Sequence, residues 1–160
     1  DLPDEPPMRR CFLSPLSAAA VCAPSLTGQS QVTGIRNLNF GPVVASVPSS
    51  VTPSDPIRSG RFYVRHVLNR QVRLSFNLPN RLNRVGGGGN MPISFGATDA
   101  IAKGTAPTSL PVTFNPNNPI TITMSTSADM YVNLGGRVAP RANQQVGSYQ
   151  GTVTLTCTFF

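Results

Sequence analysis

The clearest pattern in the chain is an alternation of apolar and polar residues close to its C-terminal end. Between residues 149 and 159 the odd positions are tyrosine, glycine, valine, leucine, cysteine and phenylalanine, whereas four of the five even positions are threonine. A period of two is that of a β-strand, whose successive side chains point to opposite faces of a sheet. The stretch therefore predicts a strand with one buried face and one exposed threonine face.

A second alternation covers residues 71–78, where every even position is valine, leucine or phenylalanine and Pro79 ends the run. Residues 61–67 are predicted to form its hairpin partner, with Asn69 and Arg70 at the turn. Further strands are predicted where short apolar runs lie between turn residues, at 32–40, 43–47, 91–95, 112–114, 120–124 and 130–134. This spacing of short strands indicates an all-β protein with an antiparallel β-sandwich.

The composition agrees with a β-rich fold that contains many turns. The 160 residues include 16 prolines and 14 glycines but no tryptophan, and 39% of them are hydrophobic. Proline interrupts helices, and a hydrophobic content of this size with alternating runs argues against intrinsic disorder. The strongest turn signals are the four glycines at 86–89 and the stretch rich in asparagine and proline at 115–119.

Charge is unevenly distributed along the chain. The formal net charge is +7, all but one of the 13 basic residues are arginine, and three of the six acids lie in the first five positions. In the predicted hairpin, Arg61 and Arg65 share a face and Arg73 lies opposite, which makes a cationic stripe. Seven arginines without an intervening acid contribute to this region: Arg58, Arg61, Arg65, Arg70, Arg73, Arg81 and Arg84.

The stripe indicates a surface that binds an anionic partner. Acidic protein surfaces and anionic lipid headgroups are the favoured partners. Nucleic acid is not expected, because no aromatic residues interleave with the arginines and no oligonucleotide-binding signature accompanies them. The alternative is a solvated face that keeps a sparsely charged domain soluble.

The first 30 residues differ from the rest, so the chain is predicted to divide into an N-terminal segment, 1–30, and a β-sandwich domain, 31–160. After Met8, two arginines precede an apolar run at 11–23, which is the layout of a secretory signal. Three interpretations stay open: an export signal, an uncleaved arm that meets a membrane or a partner, or an ordinary strand of the domain. The first two place the domain in the periplasm or at the cell surface. The large apolar residues of such an arm are Phe12, Leu13, Leu16 and Val21.

Three cysteines, Cys11, Cys22 and Cys157, allow at most one intramolecular disulfide. Either Cys11 and Cys22 close a loop in the N-terminal segment, or Cys22 joins that segment to the last strand through Cys157. Alternatively, no disulfide forms, and all three cysteines are buried thiols that act as small apolar residues. Their spacing fits no metal-binding pattern.

Residues suited to catalysis are few and far apart. No glutamate occurs after residue 5, and the remaining acids, Asp55, Asp99 and Asp129, each lie in a turn-like context. The single histidine, His66, lies in a predicted strand, which favours a place on the strand face over the role of a general base. The sequence therefore predicts a protein that is not an enzyme and that uses no cofactor or metal.

Five segments of the body, taken in order, resemble a family of exported bacterial proteins. They lie at 31–41, 59–62, 76–79, 91–96 and 142–156, and the most specific are LNFG at 38–41 and GSYQGTVT at 147–154. Together they are similar to the DUF4402 domain family, which is related in layout to spore-coat-U proteins and archaic chaperone-usher pilins. The resemblance covers residues 31–160.

This resemblance implies an immunoglobulin-like β-sandwich, secreted through a signal peptide, with a structural and non-enzymatic role. In the pilin relatives an N-terminal strand of one subunit completes the sheet of the next. Residues 11–23 of this chain are rich in alanine and interrupted by proline, and they lack the alternation of such a donor strand.

The expected function is that of an accessory subunit that docks on a membrane protein complex and stabilises it. Its partner is expected to be a protein, contacted through the N-terminal arm and the arginine stripe. The alternative is a pilin-like subunit that assembles with copies of itself into a surface fibre by donor-strand exchange. A third class, a ligand- or carbohydrate-binding sandwich, predicts a cluster of exposed aromatic residues, whereas the chain has no tryptophan and three tyrosines.

Overall fold

The computed structural model describes residues 32–65, 69–124 and 129–160. About half of these residues lie in strands and none lies in a helix, which confirms the prediction of an all-β protein. Within the same ranges, no helix has the length and apolar character needed to span a membrane. The strands are β1 (Val32–Arg36), β2 (Ser49–Val51), β3 (Gly60–Arg65), β4 (Arg70–Asn77), β5 (Arg81–Arg84), β6 (Asn90–Ser94), β7 (Ala100–Gly104), β8 (Val112–Phe114), β9 (Ile120–Met124), β10 (Asp129–Leu134), β11 (Gly136–Val138), β12 (Tyr149–Gln150) and β13 (Thr154–Phe159).

These strands pair in an antiparallel manner and build three sheets. The first sheet has the order β1-β3-β10-β7-β8, the second β12-β5-β6-β11-β2, and the third β13-β4-β9. The inward side chains of the first and third sheets share one hydrophobic core. Across it, Phe62 and Phe76 meet edge to face with ring centroids 5.7 Å apart. The arrangement is the antiparallel β-sandwich that the sequence predicts.

The main core follows directly from the alternating residues. Val72 and Leu74 on β4 are fully buried, as are Leu155 and Cys157 on β13, whereas Thr158 is exposed. The predicted buried face of the last strand is therefore confirmed. Burial of each large aliphatic side chain stabilises the fold by about 1.5–3 kcal/mol.

A smaller core lies on the inner side of the second sheet. Met91 and Ile93 of β6 and Val138 of β11 are buried there. Phe95, which follows β6, contacts both cores. Further apolar side chains cover this smaller core in part: Phe40, Val43, Leu82 and Tyr149.

The predicted strand over 149–159 is interrupted at residues 151–153. β12 pairs with β5 and β13 pairs with β4, so the chain leaves the second sheet and joins the third. The neighbouring chain bends in the same way between β4 and β5, where Pro79 has no N–H for a ladder hydrogen bond. A Cβ atom on Gly151 would lie 2.9 Å from Cδ2 of Leu82. Glycine and proline thus mark this change of sheet.

Gly135 marks a second change of sheet, between β10 and β11. β10 pairs with β3 and β7 in the first sheet, and β11 pairs with β2 and β6 in the second. The backbone of β2 passes so close that a Cβ atom at Gly135 would lie 2.3 Å from the carbonyl oxygen of Val51 and 2.9 Å from Cδ of Pro53. Only glycine permits this approach.

The predicted hairpin between residues 61–67 and 71–78 is wrong. β3 pairs with β1 and β10 in the first sheet, whereas β4 pairs with β13 and β9 in the third. The two strands lie on opposite sides of the main core. Asn69 has a positive φ of 54°, as a turn residue can. Such a turn signal shows that the chain reverses, but not whether the two strands bond side by side or stack face to face.

The other predicted strands agree with the structure to different degrees. β8 and β9 have the predicted bounds, and β6 and β10 are displaced by one residue at most at either end. β1 ends at Arg36 instead of residue 40, and the strand predicted at 43–47 is a turn in which Val47 N donates to Val44 O at 3.0 Å. Four strands were not predicted, because they are short or contain residues of low β-propensity: β2, β5, β7 and β11.

Both predicted turns are confirmed. Gly86, Gly87 and Gly88 have φ angles of 86°, 84° and 80° in the connection from β5 to β6. Between β8 and β9, the Asn115 side chain accepts a hydrogen bond from the Asn117 amide at 3.0 Å. This is the asparagine turn that the composition of 115–119 predicts.

Gly135→Ala is expected to lower the free energy of unfolding by about 3 kcal/mol, because the added methyl group overlaps backbone that cannot move without breaking the β2–β11 pair. Gly89→Ala is the matched control, since its nearest neighbour is the mobile end of the Gln145 side chain at 3.2 Å. It is expected to cost about 1 kcal/mol or less. Urea unfolding followed by circular dichroism measures both, and equal losses would contradict this account of Gly135.

Candidate functional site

An apolar cleft with a volume of about 710 Å³ opens between the two cores. One wall is the chain that follows β1, residues 36–43, and the other is residues 144–153, which include β12 and the connection to β13. The floor comes from Phe62 of β3 and from Met91 and Ile93 of β6. A cleft of this size accepts a small molecule or a short stretch of extended polypeptide.

Apolar side chains on the walls are only partly covered. Leu38, Phe40 and Val43 on one wall and Val153 on the other are half-buried, although they border the buried floor. Apolar surface that remains in contact with water favours association with a further apolar group. The cleft is therefore the candidate binding surface of the described residues.

The cleft lies where the edges of the three sheets come together. β1 ends the first sheet, β12 ends the second and β13 ends the third. β1 and β13 run close to each other. Beyond Arg36 the first wall leaves the ladder, and at 151–153 the second wall passes between sheets. Arg36 of β1 and both residues of β12 line the cleft, and residues 151–153 lead into β13. The cleft therefore lies beside edge strands, which offer backbone N–H and C=O groups to a further strand.

Arg36 fixes the base of the first wall. Its Nε donates to the Ser59 carbonyl at 2.7 Å, and its Nη2 donates to the Ser59 hydroxyl at 2.8 Å. Its Nη1 donates to the carbonyl of Pro56. The buried Ser59 hydroxyl in turn donates to the carbonyl of Asp55 at 2.6 Å. One guanidinium group thus joins the wall to the 52–59 loop.

The carboxylate of Asp55 shapes the same loop. Its Oδ1 accepts hydrogen bonds from the backbone N–H groups of Arg58 at 2.8 Å and Ile57 at 2.9 Å. Its Oδ2 accepts a hydrogen bond from Nε of Arg58 at 3.0 Å. The backbone hydrogen bond from Arg58, followed by that from Ile57, lowers the pKa of Asp55 below its ordinary value of 3.8. The loop reaches the wall itself, because Asn39 N donates to Arg58 O at 2.8 Å.

Tyr149 and Arg84 fix the second wall. The Tyr149 hydroxyl accepts a hydrogen bond from Nε2 of Gln144 at 2.6 Å and donates one to the carbonyl of Gln145 at 2.7 Å. Nε of Arg84 donates to the carbonyl of Val146 at 2.9 Å. Side chains from two strands therefore hold the 144–148 segment in place beside the cleft.

The arginines of the predicted stripe do not form one surface. Arg61 and Arg65 share the outer face of the first sheet, as predicted, but Arg73 lies on the outer face of the third sheet between Thr121 and Thr158. The reason is the wrong hairpin, since the strands that carry these residues belong to different sheets. A binding role for each arginine stays a prediction.

The remaining arginines of the stripe lie in four separate places. Arg58 pairs with Asp55 in the 52–59 loop, and Arg84 is bound in the second wall. Arg70 begins β4 and Arg81 begins β5. Two of the seven side chains are thus used to hold loops of the domain itself.

Arg61 also has a structural contact. Its Cζ atom lies 3.8 Å from the centre of the Tyr131 ring, a cation–π distance. Tyr131 in turn contacts Tyr63 with ring centroids 5.3 Å apart. These side chains stabilise the outer face of the first sheet.

Several predicted site residues lie outside the described residues: Phe12, Leu13, Leu16, Val21, Cys11 and Cys22. His66, predicted to lie on a strand face, is also outside them. The two disulfide pairings that involve Cys22 and the membrane or partner arm therefore stay predictions. Cys157 is fully buried in the main core, on the apolar face of β13.

Each acidic residue of the described chain has a local partner. The Asp99 carboxylate accepts a hydrogen bond from the Gly96 amide at 2.6 Å, and the Asp129 carboxylate accepts one from the Tyr63 hydroxyl at 2.7 Å. The hydrogen bond to Asp129 raises the pKa of Tyr63. In the ranges that the structure describes, no three histidine, cysteine, aspartate or glutamate side chains are grouped so that they could hold a metal ion.

The cleft itself was not predicted from the sequence, although one signal for it was present. The two segments most specific for the family resemblance, 38–41 and 147–154, lie far apart in the chain. In the structure, residues 38–41 line one wall and residues 147–153 line the other. The motif residues thus meet across the candidate site.

Comparisons with protein-family models, with curated proteins and with solved structures find no match to this chain. The resemblance to the DUF4402 family therefore rests on the segments quoted above and stays a prediction. Inference about function proceeds from the geometry of the cleft.

Asp55→Asn is expected to flatten the acid side of the pH–stability profile. Because the folded-state pKa of Asp55 lies below 3.8, its ionised form stabilises the fold above that pH. This contribution is lost as the pH falls through the folded-state pKa, and the uncharged asparagine removes it at every pH. Urea unfolding across the acid range measures the effect, with Asp99→Asn as a control that leaves Asp55 in place. An Asp55→Asn profile as steep as that of the unaltered chain would contradict this role.

Proposed function

We propose that the protein is a non-enzymatic structural subunit that holds an extended segment of a partner protein in the apolar cleft. The observation that carries the proposal is the position of the cleft between the edges of three sheets. An extended segment there covers apolar side chains and adds backbone hydrogen bonds to the edges. A small apolar ligand would cover the side chains but leave the edges unpaired, so polypeptide is the better occupant.

The favoured partner is a subunit of a membrane protein complex, on which the protein docks as an accessory subunit that stabilises it. Residues 11–23, the nearest candidate for a self-supplied strand, are interrupted by proline and lack the alternation that an inserted strand requires. A segment supplied by another protein avoids this mismatch. The docking surface is then the cleft. The arginines, which lie in separate places, affect only the orientation of the protein on its partner.

A second candidate is a pilin-like subunit that assembles with copies of itself into a fibre. The observation in its favour is the convergence of the 38–41 and 147–153 segments at the cleft, because these segments carry the resemblance to exported, pilin-related proteins. In either case we place the protein in the periplasm or at the cell surface, in agreement with its signal-like N-terminal segment.

Val43→Arg is expected to abolish partner binding, because a cation in the cleft loses its hydration without gaining a counter-charge. Val43 is half-buried and lines the cleft, whereas Val47 in the same loop is 54% exposed and does not line it. Val47→Arg is therefore the matched control for the added charge. Both variants are expected to fold, as circular dichroism and thermal unfolding would verify.

Native electrophoresis of soluble and detergent-solubilised fractions from cells that produce the tagged full chain measures the outcome. Co-migration with one large membrane complex is expected for a docked subunit, and a ladder of regular steps for a fibre. Val43→Arg is expected to migrate as the unassembled protein, whereas Val47→Arg is expected to assemble as the unaltered chain does. A free monomer in the unaltered chain would contradict both mechanisms, and full assembly of Val43→Arg would contradict the role of the cleft.

A further inference from the structure

Two loops of the second sheet meet at one tip of the molecule and present valine side chains to solvent. Residues 85–89 connect β5 to β6, and residues 139–148 connect β11 to β12. The amide of Val85 donates to the carbonyl of Ser148 at 2.9 Å, which joins the two loops. Val85 is 53% exposed and Val146 is 91% exposed. We call the combined surface, residues 85–89 and 145–148, the valine tip.

Hydrogen bonds at the base of the tip hold Val146 outward. Arg84 donates from Nε to the carbonyl of Val146 at 2.9 Å and from Nη1 to the carbonyl of Gly87 at 3.1 Å. A Cβ atom on Gly147 would lie 2.6 Å from Nε of Arg84, so the chain passes directly over this guanidinium group. An apolar side chain presented to water in this fixed way indicates a contact with a non-aqueous partner.

Arginine occurs on the segments that adjoin the tip, and acid is absent from these segments. Arg84 lies at its base, and Arg81 and Arg141 are exposed on the adjoining strand and loop. Residues 56–98 and 130–160 contain neither aspartate nor glutamate. All four strands that the two loops connect lie within these ranges. The strands and loops next to the tip therefore carry positive charge that no acid of their own neutralises.

We propose that the valine tip inserts into the surface of a lipid bilayer that contains anionic lipids. Val85 and Val146 enter the apolar boundary, and the exposed side chains of Arg81 and Arg141 bind lipid phosphate groups above it, while Arg84 holds the tip in shape. A bilayer has this order of layers, with anionic groups above hydrocarbon. An acidic protein surface offers the charge alone, whereas Val146, which is 91% exposed, also requires an apolar layer. Residues 145–148 belong to the second wall of the cleft as well, but vesicle binding is measured without the partner protein and so tests the tip separately from the proposed function.

Sedimentation with vesicles tests the proposal on the full chain. Binding is expected to vesicles of phosphatidylcholine with about 30% phosphatidylglycerol, and to be much weaker to phosphatidylcholine alone. Added salt should weaken it, because it screens the arginine charges. Val146→Asp is expected to lower the affinity by about tenfold or more, through the loss of one buried valine. Arg141→Glu is expected to lower it by about fivefold or more.

Matched controls lie at other places on the same molecule. Leu110 is 83% exposed in the loop between β7 and β8, near the start of β10, where Thr105 N donates to Asp129 O at 3.0 Å. Leu110→Asp replaces an exposed apolar side chain by aspartate, as Val146→Asp does, but away from the tip. Arg73→Glu reverses an arginine charge, as Arg141→Glu does, but on the outer face of the third sheet. Neither control should alter vesicle binding.

Three outcomes would overturn the proposal. Equal losses in the control and tip variants would show that net charge alone directs binding. Unchanged binding of Val146→Asp together with a loss in Arg141→Glu would exclude insertion. Equal binding to vesicles with and without phosphatidylglycerol would exclude the recognition of anionic lipid.

Discussion

The fold depends on a backbone approach that only glycine permits. At Gly135 the chain passes so close to β2 that a Cβ atom would overlap the carbonyl of Val51. At Gly151 the chain passes close to the end of the Leu82 side chain. At these points strands leave one sheet and join another. The apolar residues are consequently divided between a main core and a smaller core. The cleft is the space that this division leaves between the edges of the sheets.

Much of the main core could be predicted from the sequence, because half-buried antiparallel strands alternate with a period of two. Leu155 and Cys157 on β13, and Val72 and Leu74 on β4, follow this rule. The hairpin prediction is wrong because the turn signal in the sequence after residue 65 is the same whether β4 lies beside β3 or across the core from it. β7 was missed because alanine, lysine and glycine make up four of its five residues.

The candidate site was beyond prediction because its walls lie more than a hundred residues apart in the chain. Local patterns report on neighbours within a strand, whereas the cleft follows from how strands change sheets. The arginines illustrate the same limit. Clustering in the sequence predicts one stripe, yet Arg61 and Arg73 lie in different sheets.

The central claim is that a partner's polypeptide adds to the sheet edges at the cleft. Hydrogen–deuterium exchange of the isolated and the assembled protein tests it most directly, because exchange reports the hydrogen bonding of each backbone amide. The amides of Asn37, Leu38, Phe40 and Val43 and those of residues 150–153 are expected to exchange more slowly after assembly, whereas those of β9, at the far edge of the third sheet, should be unchanged. Assembly without slower exchange at either wall would contradict the account.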